Sequence, residues 1–170
     1  MLHYVACGLP FIWLINGFYW RESSSGKSAV IPGIPNLHRA IGEQLVKKQG
    51  ALTGNEVRFF RIEMNLSQKE LALMLGTSEI TVRKWEKSGC TQGPARLAIK
   101  ALYSEMQLNK PGIVDLANDM KNNDEPEHVE DIRLYLMLGE VGEASGQSHE
   151  EKNTNQIKAW QRDPQIQVAN

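Results

Sequence analysis

A mainly α fold with a small N-terminal β element, an α+β chain, is what the sequence predicts. Three observations predict it: helical spacing of apolar residues through the middle of the 170-residue chain, repeated S/T-x-x-E capping signals, and an aromatic-rich N-terminus broken by Asn16-Gly17. Hydrophobic residues make up 41%, which is ordinary globular usage, so a packed core is feasible. The chain divides into residues 1–50, a small β-hairpin or meander plus a helix; 51–107, a helical unit; 108–138, short C-terminal helices; and 139–170, a flexible polar tail.

Met1 to Trp20 contains no Asp, Glu, Lys or Arg, which raises the question of a signal peptide or membrane anchor. Gly8, Pro10, Asn16 and Gly17 interrupt it, no basic segment precedes it, and its longest clean apolar run is Phe11 to Ile15. That run falls far below the roughly 20 residues a spanning helix needs. A cytoplasmic chain with no membrane partner is therefore expected, and Cys7 and Cys90 are read as free thiols in a reducing compartment. Phe11 to Ile15, the Asn16-Gly17 turn and Phe18 to Glu22 read as a hairpin, with a third strand near Ser28 to Ile31. Phe11, Trp13, Phe18, Tyr19 and Trp20 fill a core or an interface.

Asn36 is placed to cap a helix from Leu37 to Gln49 that has Leu37, Ile41 and Leu45 on one side and is stopped by Gly50. Thr53 and Glu56 form a capping box opening the next helix, with Val57, Phe60 and Met64 inward and Arg58 and Arg61 toward solvent. Pro94 starts a helix to about Met106, with Leu97, Ala98, Ala101 and Leu102 on its inner side. Ile113 to Lys121 and Val129 to Leu138 read as short helices, after which Gly, Ser, Gln, Asn and Glu dominate.

Between the capped helix and Pro94 lies the most informative stretch, Ser67 to Trp85. Ser67 and Glu70 form a second capping box, so a helix starts at Gln68, buries Leu71, Ala72 and Leu75, and ends at Gly76 in a turn of about three to four residues. Ser78 caps a following helix that buries Val82 and Trp85 and leaves Glu79, Ile80, Thr81, Arg83 and Lys84 on its other sides. A helix fits the major groove of duplex DNA, and its first turns reach base edges. Arg83 can fork onto guanine, Glu79 can accept from a cytosine amino group, and Ile80 or the Thr81 methyl can touch a thymine methyl. Each good polar pair is worth about 1–3 kcal/mol of discrimination. Gln68, at the positive end of the first helix, is placed to bind a phosphate, and Ser78, Thr81 and Lys87 add further phosphate contacts.

The string LSQKELALMLGTSEITVRKWEKSG resembles the Cro/CI-type (xenobiotic-response-element, XRE) helix-turn-helix family. The shared marks are Ser67-Gln68, Leu71-Ala72, Leu75-Gly76, Ser78, Val82, Trp85-Glu86 and Gly89. The resemblance implies a five-helix DNA-binding domain that acts as a homodimer on a double-stranded operator, with repression by occlusion the simplest outcome. Carried over by position, the family's phosphate-and-base glutamine falls on Gln68, its base-contacting residues on Glu79, Ile80, Arg83 and Lys84, and a backbone-contacting position on Thr81. CGLPFIWLINGFYW, followed by LHRAIGEQLVKKQGALTGNEVRFFR, is more loosely similar to regulators related to the MqsA (YgiT-type) antitoxins. That similarity implies a rival reading, in which the N-terminal part neutralises a cognate toxin and the helix-turn-helix autoregulates. Such antitoxins often carry two CxxC pairs for zinc; with only Cys7 and Cys90 here, no metal and no cofactor is carried over.

Charge is unevenly spread. Met1 to Asn109 carries 13 Lys/Arg against 8 Asp/Glu, whereas Lys110 to Glu151 carries 3 against 11. The basic part suits phosphate contact, and its modest excess favours a dimer that doubles the contacts. Catalytic patterns are absent. Gly26-Lys27-Ser28 copies the end of a P-loop, but Arg21 stands where its first glycine belongs and no apolar helix follows. His3, His38, His128 and His149 lack ligand spacing, and the carboxylates of Asp124 to Asp131 read as a solvated stretch, so no enzyme is expected.

Overall fold

Ile12 and Leu14 are fully buried, and the sheet that contains them draws strands from both ends of the sequence. The computed structural model describes residues 1–90, 93–109, 134–140 and 158–162. Strand β2 (Ile12–Leu14) pairs antiparallel with β1 (Leu2–His3). A second sheet is the hairpin of β3 (Tyr19–Ser23) and β4 (Gly26–Val30). On its other side β2 runs parallel to β5 (Leu134–Glu140), which pairs antiparallel with β6 (Lys158–Arg162), giving the order β1-β2-β5-β6. Ile12 stands opposite Leu134 and Leu14 opposite Leu136, and the Ile15 amide donates to the Leu136 carbonyl over 2.9 Å.

This topology corrects the N-terminal hairpin. Gly17 does adopt a positive φ of 75°, yet Asn16-Gly17 only redirects the chain from the first sheet into the β3–β4 hairpin, whose turn is at Ser24-Ser25. A strand with alternate residues buried is registered by the core it faces, and such pairing outweighs a local turn signal. The helix read over Val129 to Leu138 is corrected too, because Leu134–Glu140 is a strand. An unbroken apolar run such as Leu134 to Leu138 fits a central strand as well as a buried helix. Lys158–Arg162, inside the stretch taken as a flexible tail, is a strand paired residue by residue with β5. The helix read over Ile113 to Lys121 lies outside the described residues.

Five helices are described. Helix α1 (Ile34–Lys47) begins a turn earlier than Asn36 capping predicts. Gly33, at φ 70°, is its N-cap, no side chain caps it, and Pro35 sits pre-organised in its first turn. Leu37, Ile41 and Leu45 are buried as their spacing predicts. Helix α2 (Gly54–Glu63) has both halves of its capping box: Glu56 N–H donates to Thr53 Oγ1 over 3.3 Å, and Thr53 N–H to Glu56 Oε2 over 2.8 Å. Helices α3 (Gln68–Met74) and α4 (Glu79–Ser88) follow, and then α5 (Gly93–Leu108).

The inner face of α5 differs from the expected stripe. Ile99, Tyr103 and Leu108 are buried, while Leu97, Ala98, Ala101 and Leu102 are half-buried. Ring size decides this: Tyr103 packs on Phe60 with centroids 4.8 Å apart and covers Gly42, where any Cβ would collide with it. Lys100, also buried, donates to the Lys48 carbonyl. Lys48 in turn bonds the buried Glu56 carboxylate at 2.8 Å, so that carboxylate is paired inside the α1–α2–α5 junction.

One polar chain ties the sheet to the helices. Tyr4 Oη lies 2.7 Å from His38 Nε2, and His38 Nδ1 lies 2.9 Å from Glu63 Oε1 at the end of α2. Burial, with smaller contributions from Cys7 and Glu63, pushes the Tyr4 hydroxyl up to about 12, so it stays protonated.

Candidate nucleic-acid interface

Helix α3 starts where the sequence signals. Glu70 N–H donates to Ser67 Oγ over 3.1 Å and Ser67 N–H to Glu70 Oε2 over 2.7 Å. The Ser67 amide, and next the Ser67 hydroxyl, hold the Glu70 carboxyl below the usual carboxylate range. Leu71 and Ala72 are buried and Leu75 is partly so. Gly76 turns the chain at φ 61°, and the Thr77 amide closes the turn on the Ala72 carbonyl over 2.9 Å.

Ser78 then caps α4, its Oγ accepting from Thr81 N–H over 3.1 Å and lying 2.8 Å from Thr81 Oγ1. Val82 and Trp85 seat α4 against the core. Glu79, Ile80, Arg83, Lys84 and Lys87 are exposed, Ile80 at 69%, and Thr81 is half-buried. Arg83 donates to Glu79 over 2.9 Å within the same helix, with side chains 65% and 43% exposed. An exposed i,i+4 pair contributes only about 0.3–0.5 kcal/mol, so a base edge can displace it at little cost.

Gln68 is not simply presented to solvent. Its Nε2 donates to Glu86 Oε2 over 2.8 Å, and the same carboxylate is bonded by Arg61, which also donates to the Leu66 carbonyl over 2.8 Å. Burial raises the Glu86 carboxyl, but the bonds from Arg61 and Gln68 and the charges of Arg61 and Arg58 outweigh it and hold the group below the usual range. Arg61, expected to face solvent, is thus half-buried, with 15% of its side chain exposed. The signal for this was present: Arg61 is four residues after Val57 and three before Met64, the spacing of the buried face. Glu86 had no comparable sign, since its partners come from two other helices.

A close backbone approach fixes α4 relative to α2. A Cβ on Gly54 would run into the Glu86 carbonyl, and Leu52 and Cys90 exchange amide bonds of 3.2 and 2.8 Å beyond the two helix ends. The recognition-type helix is therefore held by α2 from behind, with its outer side open.

Gly26-Lys27-Ser28, the partial P-loop string, forms the start of β4. Among the described residues no His, Cys, Asp or Glu group has the arrangement of a metal site, and no helix is long and apolar enough to cross a membrane.

Residues 57–94 match the family model described as Helix-turn-helix. No curated protein and no solved structure matches the chain. The matched segment covers most of α2, all of α3 and α4, and the first residues of α5. With its two capped helices, glycine turn and open second helix, the 57–94 segment is a DNA-binding-type helix-turn-helix of the Cro/CI family.

Proposed function

We propose that the chain is a cytoplasmic, sequence-specific regulator of transcription that binds duplex DNA as a homodimer and represses by occluding its operator. The observation that carries this is the outer face of α4, where Glu79, Ile80, Arg83 and Lys84 stand exposed beyond a helix anchored by Val82 and Trp85. In this reading those four residues meet base edges, and Gln68, Ser78, Thr81 and Lys87 meet phosphates. A twofold dimer requires a pseudo-palindromic operator with half-sites about 34–36 Å apart, or a multiple of that. Selection from a random duplex pool at fixed salt tests both points together; recovery of unenriched sequences would sink the proposal.

The rival reading, an antitoxin-type protein that neutralises a toxin through its N-terminal part, draws on the half-exposed rings of Tyr19 and Trp20. Neighbouring strand residues face opposite ways, so these rings do not form one apolar patch, and the reading ranks second. Co-purification with a small basic protein would favour it.

A further inference from the structure

We infer that the β3–β4 hairpin is a second DNA-contacting arm, which grips phosphates of the duplex beside the segment read by α4. The inference rests on the DNA-binding reading above and extends it to residues outside the helix-turn-helix.

The arm stands clear of the core. All five residues of β3 are exposed, as are the first three of β4. A lone two-stranded hairpin is only marginally stable in water, so its order has to come from its own side chains or from a partner. Here it has internal ties. Phe18 meets Trp20 edge-on at 6.1 Å, Lys27 Nζ lies 5.2 Å from the centre of the Trp20 ring, and Ser23 Oγ donates to the Gly26 carbonyl over 3.0 Å across the turn.

Its outer part carries donors. Beyond the aromatic base come Arg21, the run Ser23 to Ser25, Gly26, Lys27 and Ser28, with Glu22 the one opposing charge. Arg21 and Lys27 lie on opposite faces of the hairpin: Arg21 has no side-chain hydrogen bond or ion pair among the described residues, and Lys27, directly across from Glu22, lies over the Trp20 ring. Hydroxyls, backbone amides and cations are the groups that bind phosphate oxygens without reading sequence. An apolar partner would find little to bury on this part.

The fold also links the arm to the helix-turn-helix. Strand β4 runs through Ile31 and Pro32 into Gly33, the N-cap of α1, and His38 in the second turn of α1 bonds Glu63, the last residue of α2. Immediately after Glu63 the chain turns into Ser67 and Gln68, the positive end of α3 that is read as meeting phosphate. The base of the arm is thus tied, through α1 and the end of α2, to the segment that leads into that end, and a five-residue strand spans about 17 Å.

The test uses the full chain and a mixed-sequence duplex of about four helical turns, with binding followed against salt. Arg21→Ala with Lys27→Ala should flatten the dependence of log affinity on log salt by about 0.9 for each phosphate that the arm no longer neutralises. Charge reversal, Arg21→Glu with Lys27→Glu, should flatten it further, and Arg21→Ala alone, which keeps the Lys27–Trp20 contact, should flatten it with an unchanged circular dichroism spectrum. An unchanged slope for the arm variants, with Lys87→Ala still flattening it, overturns the arm and leaves the helix-turn-helix reading standing. Unchanged slopes for all of them remove the DNA reading itself. An altered sedimentation coefficient with an unchanged slope makes the hairpin a contact between copies and also overturns the inference.

Discussion

Gln68 donates its side-chain amide to Glu86 across 2.8 Å, so the residue that opens α3 is oriented by a carboxylate near the end of α4. A carboxylate only accepts, which forces Nε2 toward Glu86 and leaves Oε1 and the second N–H of Gln68 for a ligand. Arg61 supplies the counter-charge that stabilises this arrangement in a half-buried site.

Replacing Glu86 by Gln should therefore cost about 1–3 kcal/mol in urea unfolding, because Arg61 is left without its charged partner. The pH dependence has a definite sign. The folded-state pKa of Glu86 is depressed, so its stabilisation is present above the ordinary value of 4.5 and is lost as pH falls through the folded value below it. Melts of the Gln variant from neutral pH downward should show a shallower acid loss than wild type.

Arg83→Ala should relax base preference at one operator position by about 1–3 kcal/mol and leave the other positions alone. Lys87→Ala should instead weaken binding to every sequence. Repeating the random-pool selection with each variant distinguishes the two, and identical profiles for both would contradict the assigned roles.

Gly54→Ala should destabilise the protein by about 1–3 kcal/mol, since its Cβ meets the backbone of Glu86 rather than a side chain able to swing aside. The same substitution in a helix free of neighbours would be mildly stabilising. The shift of the denaturant midpoint gives the sign directly.

Tyr4→Phe should cost about 0.5–1.5 kcal/mol by leaving His38 Nε2 without its hydrogen-bond partner. Nitrogen chemical shifts of the His38 imidazole should change, whereas those of His3, which sits against Trp13 and Pro10, should not.

Local signals carried most of the helical part. Thr53 with Glu56, Ser67 with Glu70, Ser78 and Gly76 each specify a cap or turn through atoms only a few residues apart, and each is found where its spacing places it. What lay beyond reach depended on distant partners. Apolar spacing could not tell that Tyr103, rather than Leu102, would fill the space over Gly42. Nor could it tell that β2 would find β5 instead of the strand following Asn16-Gly17. The proposed base-reading residues were identified as outward positions of α4 by the same periodicity that buries Val82 and Trp85. The Arg61–Glu86–Gln68 cluster, assembled from three helices, needed the fold.

The parallel alignment of β2 with β5 has a consequence for how the molecule comes into being. Ile12 meets Leu134, more than a hundred residues away along the chain, while α2, α3 and α4 need only near neighbours. Loop closure over that span costs entropy before any contact rewards it. During synthesis at about 5–20 residues per second the helices can assemble first, and the apolar segment Phe11 to Ile15 must wait with an open edge until its late-made neighbour emerges. That waiting period, rather than the finished molecule, is where self-association is most dangerous.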